Sequence, residues 1–123
     1  MIDGFRRPNG LDIVKVRTPI GVIAIVYEAR PNVTIDAAAL CLKSGNACVL
    51  RGSSSAAHSN AVLAEIAASA APAGAIQLIA GGGREELAEL ATQDAYVDLI
   101  IPRGGEGLKK ALTDVATVPM IFA

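Results

Sequence analysis

With 123 residues, 52% of them hydrophobic, 19% charged and a formal net charge of -1, the chain has material for one core and no field to attract a polyanion. Aromatic residues make up only 3% and tryptophan is absent, which argues against base-stacking platforms, so no nucleic-acid partner is expected. No apolar run is long enough to span a membrane, "MIDGFRRPNG" has no apolar segment after its charges, and two cysteines without a framework point to a reducing cytoplasm.

After a polar opening loop, "LDIVKVRT" alternates apolar Val14 and Val16 with Lys15 and Arg17, the period of a strand with one wet face, expected at a sheet edge. The stretch 20–28, "IGVIAIVYE", is continuous and β-branched, as a strand covered on both faces would be. A helix is expected from Thr34, capped by the Thr34 hydroxyl, with Asp36 near its start, Lys43 near its end and Gly45 just past it. "ACVLRG" (47–52) reads as a second buried strand. The helix after it, 55–70, is expected to turn Val62, Leu63, Ile66, Ala67 and Ala70 inward and to stop at Pro72 and Gly74. "AIQLIA" (75–80) is a third strand and Gly81-Gly82-Gly83 a turn; "REELAELAT" is a short helix with Leu87, Leu90 and Ala91 inward. "YVDLII" (96–101) is a fourth strand, 107–116 a helix with Leu108, Ala111, Leu112 and Val115 on one stripe, and "VPMIFA" begins a fifth strand.

Strand and helix alternating with short connections call for an α/β fold, a parallel sheet with right-handed crossovers and helices on both faces. Ligands of such sheets bind outside the carboxyl ends of the strands, where strand-to-helix turns expose backbone amides. Three turns there are rich in small residues: Arg51-Gly52-Ser53, Gly81-Gly82-Gly83 and Arg103-Gly104-Gly105. Any one of them alone is an ordinary tight turn. Together, with arginine at two strand ends and Gly104-Gly105 opening a helix, they point to a phosphate-bearing ligand. The G-x-G-x-x-G fingerprint is not met, because Gly105-Glu106-Gly107 is followed by Lys110 at the third glycine position, and no P-loop is present. His58 reads as a solvated first-turn residue. The glutamates, Glu28 and Glu86 among them, read mostly as helix-surface charges, and Cys41 and Cys48 as small core residues. No catalytic residue and no metal site is expected from spacing.

The segments "YEARPNVTIDAAALCLKSGNACVLRGSSSAAHSN", "DGFRRPNGLDIVKVRTPIGVI" and "VDLIIPRGG" closely resemble the gamma-glutamyl phosphate reductase family, the proline-biosynthesis branch of the aldehyde dehydrogenase superfamily. The resemblance implies a Rossmann-like cofactor domain and the NADPH-dependent reduction of gamma-glutamyl phosphate to glutamate-5-semialdehyde, with release of phosphate. It places Arg51, with Gly52 and Ser53 in the same turn, at the adenosine ribose or its 2'-phosphate, making Arg51 the expected source of NADP selectivity. It places Arg103-Gly104-Gly105 beside the pyrophosphate, and Arg30-Pro31-Asn32 where substrate and nicotinamide meet. One departure concerns the cofactor turn. Relatives commonly read Arg-Gly-Gly-Ser-Glu where this chain reads Arg51-Gly52-Ser53-Ser54-Ser55, so a carboxylate that would contact the ribose and repel a 2'-phosphate is absent. Neither Cys41 nor Cys48 matches the family's nucleophile motif, so no catalytic residue carries over. Residues 1–123 are therefore expected to be an NADP-binding domain fragment without the catalytic domain, inactive alone. The alternative is a free-standing nucleotide-binding or interaction module without catalysis, which binds a nucleotide or pairs with relatives through its exposed terminal strand. The partners expected of the chain are the small-molecule substrate and further copies of itself in a homo-oligomer.

Overall fold

The polar opening of the chain folds as a hairpin rather than a loop. In the computed structural model, which describes residues 2–80 and 82–122, β1 (Asp3–Arg6) and β2 (Asp12–Lys15) pair antiparallel with Asp3 opposite Lys15 and Arg6 opposite Asp12. The Arg6 guanidinium donates from Nε and Nη2 to the two Asp12 carboxylate oxygens at 2.6 and 2.8 Å. Cross-strand charge pairing thus supplies what the sequence "DGFR", poor in strand formers, lacks in propensity. The alternating "LDIVKVRT" is not an edge of the main sheet. It belongs to a separate two-stranded sheet, and Val14 and Val16 are exposed.

The main sheet has four parallel strands, β3 (Val22–Tyr27), β4 (Ala47–Arg51), β5 (Ile76–Leu78) and β6 (Leu99–Arg103), in the order β5-β4-β3-β6. Central β3 needs an unbroken apolar run because both its faces are covered. Ile23, Ile25 and Tyr27 pack with Leu50 and Ile76 under α1 (Asn32–Lys43) and α2 (Ala57–Ser69). Ala24 and Val26 pack with Ile100 under α3 (Arg84–Ala91) and α4 (Glu106–Thr113). The chain steps outward from β3 to β5 and then crosses back to lay β6 on the other flank of β3. This is the Rossmann-like order, and it leaves a crevice where the loops after β3 and β6 part to opposite faces. The fourth strand starts at Leu99, because Asp98 turns its carboxylate back to accept the Val22 amide at 2.8 Å. The fifth strand amounts to a single parallel bridge between Met120 and Ile100.

Helix α1 begins at Asn32, not Thr34. Pro31, at φ -61, presets the first turn, so the Thr34 hydroxyl is free to serve elsewhere. Helix α2 also departs from its expected face: Asn60 and Ala64 are buried, whereas Val62 and Ile66 are 56% and 58% exposed and Ala70 is exposed. An alanine-rich helix carries little stripe to read, and the rotation is set by which small residues fit against α1. In α3, Leu87, Leu90 and Ala91 are buried as expected; in α4, Leu112 is buried, and Val115 lies past the last helical residue and is exposed.

Candidate functional site

Because the four main strands run parallel, the turns that follow them open on one edge of the sheet. Tyr27 stands opposite Arg103 in the β3–β6 register, and Val26 opposite Arg51 in the β3–β4 register, so both arginines reach the same rim. Two clefts meet there, sharing Tyr27 and Glu28. The larger, of 410 Å³, is lined by Arg51, Ser53, Ser54, Gly82, Gly83 and Arg84 among others. The second, of 380 Å³, is lined by Arg30, Val33, Arg103 and Gly104. Gly52 is buried beneath the first turn, and Gly105 immediately precedes α4. Pro31 and Asn32 start α1. Asn32 faces an adjoining, mostly apolar cleft of 280 Å³ on the α1 side of the sheet, which shares Arg30, Val33 and Arg103 with the second cleft, and its amide nitrogen donates to Asp36 at 3.1 Å. Gly81, the first residue of the expected triple-glycine turn, lies outside the described residues.

Two of the donors that sequence reading aims at an anion, the Arg51 guanidinium and the Gly105 amide, already have anionic or carbonyl partners. Arg51 Nη2 donates to the Gly82 carbonyl at 2.7 Å and the Gly83 carbonyl at 3.3 Å, and Nε donates to Glu86 Oε1 at 3.4 Å. The Gly105 amide donates to Glu28 Oε1 at 3.3 Å. Glu28 is not a helix-surface charge. It directly follows β3, and since β6 is the neighbour of β3, its carboxylate arrives at the start of α4. A Cβ at Gly104 would meet the outer ends of the Glu28 and Leu108 side chains, which close over this turn.

Beneath the rim a buried polar chain supports the floor shared by the two clefts. The hydroxyls of Tyr27 and Thr34 lie 2.6 Å apart, and Thr34 Oγ1 donates to Asn60 Oδ1 at 3.2 Å. With the Thr34 proton given to Asn60, Tyr27 is the donor to Thr34. Burial pushes the Tyr27 phenol above its ordinary range, and the bond to Thr34 draws it partly back. Asn60 Nδ2, against Gly52, has no hydrogen-bond partner among the described residues.

Sequence reading takes the two cysteines as small core residues, and both are buried. Cys41 and Cys48 are buried in the core under α1 and α2, and the neighbouring Cys41 together with burial pushes the Cys48 thiol far up. His58 is exposed as the second residue of α2. Among the described residues no group of three histidine, cysteine or carboxylate side chains is placed to hold a metal ion.

Similarity to known proteins agrees with this architecture. The gamma-glutamyl phosphate reductase of Desulfovibrio desulfuricans is 54% identical over 122 residues, which cover 95% of this chain and 29% of that protein. That of Syntrophomonas wolfei is 51% identical over 123 residues, 96% of this chain and 29% of that protein. The crystal structure of gamma-glutamyl phosphate reductase from Thermotoga maritima superposes with a TM-score of 0.89 at 42% identity, over 97% of this chain and 30% of the other. An NAD-dependent aldehyde dehydrogenase from Sinorhizobium meliloti shares the fold with a TM-score of 0.72 at 20% identity, over 85% of this chain and 22% of the other. The chain thus spans about 29% of the length of the curated relatives it matches. The sequence model described as "Aldehyde dehydrogenase family" matches residues 3–119, nearly the whole chain, and the chain belongs to that family.

Proposed function

We propose that the chain is the NADP-binding part of an enzyme that reduces gamma-glutamyl phosphate to glutamate-5-semialdehyde and releases phosphate, in the cytoplasm. The observation that carries this reading is the meeting of Arg51 and the Arg103-Gly104-Gly105 turn on one rim of a Rossmann-like sheet. Identity of 54% to a gamma-glutamyl phosphate reductase supports the substrate class. No helix among the described residues is long and apolar enough to cross a membrane.

The residues fit a nicotinamide dinucleotide in charge and in space. Two clefts joined at Tyr27 and Glu28 give an elongated ligand two compartments with two arginines in each, Arg51 and Arg84 in one and Arg30 and Arg103 in the other. Glycine at 104 leaves the backbone of that turn bare at the rim. Arg51 would take the 2'-phosphate, Ser53 the ribose, and the Gly105 amide with Arg103 the pyrophosphate. Arg30 would lie on the substrate side, and Asn32, at the start of α1, near it. The bound cofactor supplies the hydride.

Titration of the chain with NADPH and NADH is expected to favour NADPH. Arg51→Ala should lower that preference by about tenfold, the worth of one charge-assisted contact that must first be released from present partners. Equal binding of both cofactors by the unmodified chain would remove Arg51 from this role. Incubated with gamma-glutamyl phosphate and NADPH, the chain should show no turnover, because both thiols are buried. Measurable NADPH consumption would mean that a nucleophile has been overlooked.

A further inference from the structure

We propose that Glu86 sets how strongly this site discriminates between the two nicotinamide cofactors, by competing with a 2'-phosphate for the donors of Arg51. The proposal rests on the reading that Arg51 receives the 2'-phosphate, and it names a residue that opposes that contact.

The guanidinium has three nitrogens, and two are committed: Nε to the Glu86 carboxylate, and Nη2 to the carbonyls of Gly82 and Gly83. The ion pair joins the end of β4 to the first turn of α3, and its side chains are 13% and 27% exposed. It is therefore far less screened than Arg6–Asp12, whose side chains are 72% and 58% exposed. The turn after β4 brings no charge of its own, since Ser53, Ser54 and Ser55 are neutral. Among the described residues, Glu86 is the one carboxylate within ion-pair reach of Arg51. Its place is fixed twice over. An acidic residue in the first turn of α3 is favoured by the helix dipole, and the carboxylate packs against Gly82, where a Cβ would collide with it.

A dianionic 2'-phosphate reaching Arg51 from the 410 Å³ cleft has to take over Nε or settle beside a carboxylate already on it. A ribose bearing a free 2'-hydroxyl meets no such conflict, because a hydroxyl can donate to the same carboxylate. Glu86 thus penalises NADPH and leaves NADH alone. It is a positioning residue that acts through Arg51.

Fluorescence titration of the chain with NADPH and NADH tests this. Glu86→Gln keeps an acceptor for Nε and removes the charge. It should tighten NADPH binding about tenfold, the effect of one partly screened charge at contact range, and leave NADH within about twofold. Glu86→Ala should move in the same direction. Glu85→Gln, the same charge change on an exposed neighbour, should change nothing. In the Arg51→Ala background, Glu86→Gln should bring no gain. An unchanged or lowered NADPH preference in Glu86→Gln, with Arg51→Ala still lowering it, overturns the proposal and leaves the role of Arg51 standing. So does an equal gain from Glu85→Gln, or a gain that survives in the double variant, since either assigns the effect to the general field. If Arg51→Ala itself leaves the preference unchanged, the underlying reading fails, and the proposal with it.

Discussion

Thr34→Val is expected to destabilise the chain by about 3 kcal/mol, and Tyr27→Phe by no more than about 1.5 kcal/mol, although both remove one hydroxyl from the same chain of contacts. The asymmetry follows from position. Thr34 stands in the middle, accepting from Tyr27 and donating to Asn60, and all three residues are almost wholly buried. Valine has the shape of threonine and no polar atom, so it strands the phenol proton and the Asn60 carbonyl oxygen together. Each stranded group costs about 1–3 kcal/mol. Phenylalanine at position 27 removes the group that would otherwise be stranded, and the Thr34–Asn60 bond survives. Urea unfolding of the two variants checks the ordering, and equal costs would show that the hydroxyls are not coupled. The consequence reaches the rim because Tyr27 borders both clefts.

That chain of contacts was also the least legible part of the sequence. Thr34 precedes an apolar helical run with an aspartate two residues on, which is what a helix cap looks like locally. Proline at position 31 starts the helix sooner, and the hydroxyl turns toward residues of β3 and α2. What periodicity and turn chemistry govern was readable: the buried run of β3, the inward leucines of acidic α3, and the arrival of Arg51 and Arg103 at the ends of parallel strands. What depends on distant partners was not. Glu86 meets Arg51 across 35 residues and Glu28 meets Gly105 across 77, so as isolated letters both are plain surface charges. The hairpin failed for the same reason from the other side, because β1 is a strand through its pairing with β2 and not through its own composition. Helix α2 failed because alanine on every side offers no moment to orient it.

Gly52→Ala is the complementary test, adding an atom where Thr34→Val removes one. Gly52 is buried and needs no left-handed backbone, so the demand for glycine there is one of space. An added Cβ would enter the volume of Asn60 Nδ2 and stand 3.0 Å from the Tyr27 ring. Neither neighbour can swing clear: Asn60 is tied to Thr34, and the ring is enclosed in the core. Forcing a methyl into such a site costs about 1–3 kcal/mol, and the rigid surroundings put the expectation near the top of that range. The strain falls on the turn that carries Arg51 and Ser53, so NADPH binding should weaken even where the chain remains folded. Asn60→Ala is costly alone, since it takes away the acceptor of Thr34, but it vacates the space that the new methyl needs. In that background the further cost of Gly52→Ala should fall below about 1 kcal/mol, a non-additivity expected only of residues in direct contact. If thermal or urea unfolding gives the same increment in both backgrounds, the clash with Asn60 is not what keeps glycine at this position.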